Sequence, residues 1–283
     1  MRIWCSVIGV TLAGLSFALP ARGALTHRYS FNDGTANDSV GGANGVVVNG
    51  PSVINGQVVF DPAVNNGTNV DTATGQYVDL PNGLAKTRAL TYELWFTYRG
   101  GAAWQRVLDF GDSTAGELPP SDTTTSTYDG HGYTIIVPQS SAGYLLGQIT
   151  VVKPDGSTTT NYTPTTRVLS TNAEHHVVLT HDLDAKSERI YLDGAFVLSV
   201  TASADPSQAD YTNFWLGRSN YHKDPFFNGS INELRIYDHA LSAAEVASSF
   251  AAGPDAALPE PSAGAASILV ATGAGLLRCR RRI

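Results

Sequence analysis

Cysteine is nearly missing from this chain: its 283 residues include only two, Cys5 and Cys279, one close to each end. Between them there is no thiol that could form a disulfide or act as a nucleophile. A domain of roughly 230 residues buries enough apolar surface to be stable without cross-links. The central part of the chain is therefore expected to be held by an ordinary hydrophobic core.

Positive charge is also scarce, with 18 Lys and Arg residues against 25 Asp and Glu and a net charge of −7. Four of the arginines, Arg278, Arg280, Arg281 and Arg282, lie within the last six residues, so the rest of the chain is more acidic than the total suggests. Binding to nucleic acid needs a basic surface. The composition therefore argues against a nucleic-acid partner.

Long uninterrupted apolar runs are lacking at the N-terminus. Ile3 to Leu19 is apolar but contains several Ser, Thr and Gly residues, and it is short for a span of ~20 residues. Arg2 precedes it, and the small residues Ala21 and Gly23 follow it. This layout predicts a secretory signal peptide over residues 1–23, cleaved between Gly23 and Ala24. A membrane anchor is the alternative.

The C-terminal end combines Pro259-Glu260-Pro261, an apolar Ala- and Gly-rich run over residues 263–277, and a cluster formed by Arg280, Arg281 and Arg282. The prolines stop any helix that enters from upstream, and terminal arginines favour the cytoplasmic side of a membrane. This segment, 259–283, resembles the PEP-CTERM sorting signals of Gram-negative bacteria. The resemblance implies transient membrane contact and processing by an exosortase. A plain C-terminal membrane tail is the alternative.

The central region reads as many short strands. Leu90, Tyr92, Leu94, Phe96 and Tyr98 alternate with mixed residues, which predicts a strand with one core-facing side. Asp193-Gly194 between two apolar runs predicts a type I′ hairpin. Ser242 and Glu245 have the spacing of a capping box, with Leu241 and Val246 at the spacing of a hydrophobic staple, so one helix follows. About a dozen strands and one helix predict an all-β fold, a two-sheet antiparallel jelly-roll sandwich.

The stretch before that helix carries the most specific pattern: Trp215–Ser219, Phe227–Gly229, Ile231–Tyr237 and Ala240–Glu245. In order and spacing it resembles the closing segment of laminin-G-like, or concanavalin A-like, jelly-roll domains. His175-His176-Val177-Val178 and Tyr191-x-Asp193-Gly194 resemble earlier parts of the same family. The resemblance covers roughly Leu25 to Ala252, so we expect one domain over 24–252 and a linker over 253–258.

The resemblance also implies one structural calcium ion. The positions associated with it are Asn32, Asp38 and Asn232. Calcium prefers carboxylate and carbonyl oxygens, and Asn32 and Asn232 stand where the family usually has Asp. These two amides supply less charge than carboxylates, so a bound ion and an empty site are both open.

An enzyme of this fold is the alternative to a binding protein. Endoglucanases with this fold carry a Glu-x-Asp-x-x-Glu strand, which places two carboxylates at the ~5 Å separation of retaining hydrolysis. That motif does not occur here. Glu93 and Glu233 are interpreted as structural carboxylates paired with a neighbour such as Arg235. His175 and His176 are adjacent on a strand and point to opposite faces, so they are not expected to share a metal ion.

Loops that combine aromatic rings with hydrogen-bonding groups suit sugars, which need a ring to stack on and partners for their hydroxyls. The candidate ligand-binding residues are Arg218, Tyr221, His222 and Asp224 in the loop before the last strand, and Asp112, Tyr128 and His131 in the long loop from Gly111 to Gly132. The alternative is that Arg218 and Asp224 form a loop-locking ion pair, with Phe227 as a buried ring.

These observations predict a secreted, non-catalytic module that binds a glycan or an extracellular protein in the cell envelope of a Gram-negative-type bacterium. Two alternatives stay open. The first is a glycan-active hydrolase or lyase on the same fold, and the second is a structural matrix protein without a defined ligand.

Overall fold

A computed structural model describes residues 23–118 and 129–256. In these residues the elements are β1 (Leu25–Tyr29), β2 (Val46–Val48), β3 (Ser52–Ile54), β4 (Gln57–Val59), β5 (Tyr77–Leu80), β6 (Ala89–Tyr98), β7 (Leu108–Ser113), β8 (Gly130–Val137), β9 (Leu146–Val152), β10 (Thr158–Pro164), β11 (Glu174–Asp182), β12 (Ser187–Leu192), β13 (Ala195–Val200), a 3-10 turn (Pro206–Gln208), β14 (Asn213–Leu216), β15 (Gly229–Tyr237) and α1 (Ala243–Ala252).

The strands form two antiparallel sheets. One has eight strands in the order β13-β12-β11-β6-β15-β4-β3, with β1 also paired to β15, and the other has seven in the order β10-β9-β8-β7-β14-β5-β2. The alternation predicted for β6 is confirmed, because Leu90, Tyr92, Leu94 and Phe96 belong to the core between the sheets. Aromatic side chains of the seven-stranded sheet pack against these residues; Phe110 on β7, for example, contacts Tyr92 edge-on. The all-β, two-sheet sandwich is thus confirmed.

Local signals in the sequence are also confirmed. Asp193 and Gly194 both have positive φ, 50° and 76°, at the turn between β12 and β13, as a type I′ turn requires. Ser242 caps α1, and the capping box with Glu245 is complete. Leu241 and Val246 are buried in one cluster.

The far face of the eight-stranded sheet lies under α1 and carries a buried charged network. Arg235 forms ion pairs with Glu233 and with Glu93. Its guanidinium stacks on Trp95, and Arg28 joins Glu233 from β1 at 2.9 Å. The predicted pairing of Glu93 and Glu233 with Arg235 is confirmed.

The same network holds the chain that leaves α1. Arg28 and Arg235 both donate hydrogen bonds to the carbonyl oxygen of Pro254, at 3.1 and 2.5 Å. Asn32 donates to Asp255 at 2.6 Å. The segment after the helix is therefore bound to the first and last strands of the sheet.

The two histidines at the start of β11 point in opposite directions, as predicted. His175 contacts Ser170 and Asp193. His176 contacts Glu93 at 2.9 Å and stacks on Trp95. Each ring therefore has its own structural partners.

Within residues 23–118 and 129–256, no helix is long and apolar enough to cross a membrane. Residues 1–22 of the predicted signal peptide lie outside the described residues. So do the sorting residues Pro259, Glu260, Pro261, Arg280, Arg281 and Arg282. These expectations stay predictions.

Candidate functional site

Three partly exposed aromatic rings lie together on the outer face of the seven-stranded sheet. Alternation along β8 sends Ile136 into the core between the sheets, whereas Tyr133 and Ile135 belong to a separate cluster on the outer face, which also contains Trp104. Tyr221 meets Tyr133 edge-on, with ring centroids 5.7 Å apart. We call Trp104, Tyr133 and Tyr221 the aromatic strip.

Arg106 joins the rings of the strip. Its guanidinium carbon is 5.3 Å from the Trp104 ring centroid and 6.0 Å from that of Tyr221. The side chain is only 4% exposed and forms ion pairs with Asp224 at 2.7 Å and Asp109 at 3.4 Å. A guanidinium held between rings and carboxylates fixes the spacing of the strip.

Asp109 fixes the loop that carries Tyr221. Its carboxylate accepts hydrogen bonds from the Asn220 amide N–H at 2.9 Å and from the Asn220 side chain at 2.8 Å. Burial raises the pKa of Asp109 to about 6, although Arg106 and the Asn220 donors oppose that rise. Burial likewise raises the pKa of Asp224, against the opposing effect of Arg106.

The two predicted loops converge beside the strip. Asp112 accepts a hydrogen bond from the Gly132 amide, and its other oxygen lies 2.9 Å from His131 Nδ1. The side chains of Asp112 and His131 are 24% and 53% exposed. His222 Nδ1 lies 3.9 Å from the Asp129 carboxylate. These hydrogen-bonding groups are thus presented next to the aromatic rings, while Tyr128 lies outside the described residues.

A glycine at position 130 permits this convergence. The Tyr221 ring occupies the space that a Cβ on Gly130 would need. The start of β8 and the loop before β15 can therefore touch only because residue 130 has no side chain.

Arg218 contacts aromatic residues and does not pair with Asp224. It is buried, donates a hydrogen bond to the Tyr77 hydroxyl at 2.8 Å and stacks over Trp215 at 4.1 Å. The predicted ion pair between Arg218 and Asp224 is wrong, because the cation that pairs with Asp224 is Arg106. Phe227 is fully buried, as predicted, and packs edge-on against Phe60.

The three predicted calcium positions have separate sets of partners. Asp38 accepts hydrogen bonds from the amides of Arg28, Val40, Gly41 and Ala43, and one carboxylate oxygen lies 2.7 Å from His27. Burial opposes ionisation, but these donors hold the pKa of Asp38 below its usual value. Asn32 and Asn232 donate to Asp255 and Glu174. Nowhere in the described residues do three His, Cys, Asp or Glu side chains group as metal ligands.

Two shallow pockets lie on the β5 and β14 side of the seven-stranded sheet, and none of the three strip residues lines them. They have volumes of about 230 and 250 Å³ and share Asn82 and Thr212. Thr212 is linked to β7 by a hydrogen bond from its amide to the Gly111 carbonyl. Asp79 lines the first pocket, and burial raises its pKa to about 6.

Sequence reasoning missed Trp104, Arg106 and Asp109. Trp104 has a φ of +72°, a conformation that bulky side chains rarely adopt. Its amide donates to the Gln139 carbonyl at 2.9 Å. The turn composition near residues 100–103 shows a loop, but the sequence pattern does not show which ring that loop presents.

A two-sheet sandwich with partly exposed rings and hydrogen-bonding groups on one sheet is the architecture of lectin-like and glycan-active domains. The profile of the family described as the concanavalin A-like lectin/glucanases superfamily, Laminin_G_3, matches residues 71–247. The chain belongs to this family. Comparison with curated protein sequences finds no match.

Solved structures with a similar fold include carbohydrate-binding and glycan-active proteins. Domain 4 of AbnA, an extracellular GH43 arabinanase from Geobacillus stearothermophilus in complex with arabinotriose, has 22% identity and a TM-score of 0.57; the match covers 80% of this chain and 98% of that one. For Trypanosoma rangeli sialidase in complex with the inhibitor DANA, the identity is 15%, the TM-score is 0.52, and 80% of this chain and 32% of that one are covered. At these identities the likeness establishes the fold.

Proposed function

We propose that this protein is an exported, non-catalytic glycan-binding module whose ligand lies along the aromatic strip. The observation that carries the proposal is the placement of Trp104, Tyr133 and Tyr221 on one sheet face, next to the side chains of His131 and Asp112. Sugar rings stack on aromatic faces, and their hydroxyls need fixed donors and acceptors. The strip offers both.

Rigidity supports the same proposal. Arg106 and Asp109 tie the strip to β7, and the Asn220 hydrogen bonds hold the Tyr221 loop in place. Binding to a preformed surface avoids the entropy cost of ordering loops around a flexible ligand. The AbnA domain of the same fold was solved with arabinotriose, which supports a glycan as the ligand class.

Export belongs to the proposal as well. A signal peptide cleaved between Gly23 and Ala24 would deliver the domain across the inner membrane, and the segment from Pro259 would be recognised by exosortase-type machinery. The proposed location is the outer envelope or the extracellular matrix. A structural calcium ion is included in the first test, because the family resemblance implies one.

The test is binding of the purified protein to a glycan array, once with calcium and once with chelator. We expect retention of at least one glycan class, and loss of that binding in Tyr221→Ala. Phe196→Ala is the matched control, because Phe196 is an exposed ring on β13 of the other sheet. Absence of binding in both conditions, with the circular dichroism of a folded β protein, would favour a protein-binding or structural role.

One observation favours a second candidate, a glycan-active enzyme. Asp112 orients His131 at 2.9 Å, and the imidazole is half-exposed next to Gly130, which the Tyr221 ring contacts. A histidine held by a carboxylate is suited to general acid and base catalysis. Turnover of an array glycan that is lost in His131→Ala or Asp112→Asn would establish this candidate and overturn the non-catalytic proposal.

A further inference from the structure

The surface around the aromatic strip has an excess of negative charge. Among residues 23–118 and 129–256, four carboxylates lie around the strip and two cations oppose them. The carboxylates are those of Asp109, Asp112, Asp129 and Asp224, and the cations are Arg106 and Lys223. His131 and His222 each face one of these carboxylates.

The cation at the centre of the strip is buried, and one of its nitrogens is hydrogen-bonded to protein, while its Nε and Nη1 are buried without a hydrogen-bond partner among the described residues. Arg106 donates to Asp224 at 2.7 Å and lies 3.4 Å from Asp109, and its side chain is 4% exposed. Two carboxylates therefore share one guanidinium. A carboxylate of a ligand would have to displace Asp224 to gain the bidentate contact that arginine offers to anions.

A negatively charged ligand at the strip would also lie close to Asp109 and Asp224, whose ionisation burial already disfavours. Burial raises the pKa of both Asp109 and Asp224. A further negative charge a few ångströms away would increase the cost of keeping them ionised. The exposed carboxylate of Asp129, 71% accessible beside His222, adds repulsion at the surface.

We propose that the strip selects uncharged glycans and disfavours those that carry carboxylates, such as polyuronides and sialylated oligosaccharides. This inference rests on the proposed glycan-binding function. Carboxylate oxygens accept hydrogen bonds, so the carboxylates of Asp112 and Asp129 can accept them from the hydroxyl groups of neutral sugars. The negative charge of the same two carboxylates repels acidic sugars.

The test compares neutral and acidic polysaccharides on the intact protein by affinity electrophoresis and calorimetry. Arabinan, xylan and mannan are the neutral probes, and polygalacturonate, alginate and a sialylated oligosaccharide are the acidic ones. We expect acidic probes to bind at least about tenfold more weakly than the best neutral probe at low salt. Neutral binding should change less than about twofold between about 20 and about 500 mM salt, where screening removes most surface electrostatics.

A charge reversal sharpens the comparison. Asp129→Lys should increase retention by acidic probes, because it replaces an exposed anion beside Tyr221 and His222 with a cation. Asp184→Lys makes the same change on the β11–β12 turn of the other sheet and should not increase it. Equal gains in both variants would point to net charge alone and overturn the inference.

The outcomes separate this inference from the proposed function. A preference for acidic glycans, or neutral binding that collapses with salt, would overturn the selectivity while leaving glycan binding intact. Failure to retain any probe of either set would overturn both.

Discussion

The buried carboxylate of Asp109 binds Asn220 twice, through its amide N–H at 2.9 Å and its side-chain N–H at 2.8 Å. These two bonds join the start of β7 to the loop before β15, which are more than a hundred residues apart in sequence. Asp109 therefore helps to position Tyr221, together with the hydrogen bonds from Asn213 to Asn220 and from the Tyr221 amide to Ser219.

That carboxylate should make stability depend on pH. Burial raises the pKa of Asp109 to about 6 in the folded protein, whereas an unfolded Asp titrates near 3.9. Between these values the folded state holds more protons on Asp109, so the contribution of Asp109 to stability is fully present below pH ~4 and is lost as the pH rises through ~6. We expect the difference in unfolding free energy between wild type and Asp109→Asn to fall by about 2 kcal/mol from pH 4 to pH 7. Denaturant titrations at both pH values would measure it, and a constant difference would contradict the prediction.

Trp104 should show a trade-off between stability and binding. Its φ of +72° suits glycine, whereas any residue with a Cβ is strained there. We expect Trp104→Gly to be more stable than Trp104→Ala by about 1 kcal/mol, while both lose glycan binding by at least about tenfold. Thermal unfolding and array binding of the two variants test this. A more stable Ala variant would show that the backbone conformation is not costly.

Gly130→Ala should disturb Tyr221 specifically, because the new Cβ would overlap the tyrosine ring. We expect weaker glycan binding with a loss of stability of about 1–3 kcal/mol, the usual cost of overpacking. In the Tyr221→Ala background the same substitution should have little further effect, since the ring it displaces is already gone. A double-mutant cycle on both affinity and unfolding measures this coupling, and fully additive effects would contradict it.

Asp38→Asn should lower stability equally with calcium and with chelator. The carboxylate accepts N–H groups from four backbone amides, and an Asn side chain replaces one acceptor oxygen with a donor. We expect a loss of about 1–3 kcal/mol from unsatisfied amides. The pKa of Asp38 is lower in the folded protein than in the unfolded chain. The contribution of Asp38 to folding stability is therefore present above the pKa of the unfolded chain, and it is lost as the pH falls through the pKa of the folded protein. Calcium-dependent stabilisation of the wild type that the variant lacks would instead establish a metal site at Asp38.

The sorting prediction has its own test in cells. Pro259→Ala together with Pro261→Ala should leave unprocessed protein in the membrane fraction, because the prolines separate the domain from the apolar segment. Immunoblots of membrane and medium fractions would follow processing. Release equal to that of the wild type would contradict the prediction.

The features that the sequence predicted well were those set by local chemistry. The alternation in β6, the turn at Asp193-Gly194 and the capping box at Ser242 each depend on a few neighbouring residues. By contrast, β10 was missed because its Thr-rich sequence shows little apolar alternation. It is held instead by polar contacts such as Thr163 to the Gly147 carbonyl and Asn161 to residues 201–204.

The candidate site was predicted only in part, because its partners come from distant strands. The candidate residues Asp112, His131, Tyr221 and His222 come from two loops that meet at the start of β8, and their role in ligand binding stays a prediction. The identity of the cation opposite Asp224 depends on strand register, which places β7 next to β14. No pattern within either loop contains that information, so Arg218 was assigned in place of Arg106.

The hydrogen bonds from Arg28 and Arg235 to Pro254 have a mechanical consequence. A pulling force applied beyond residue 256 would reach the Asn32–Asp255 hydrogen bond and these two guanidinium groups, which are themselves held by Glu233. The load would then pass to β1 and β15, deep in the eight-stranded sheet, and would bypass the aromatic rings on the opposite sheet. The protein could thus resist shear at its C-terminal side without distorting the surface proposed to hold the glycan.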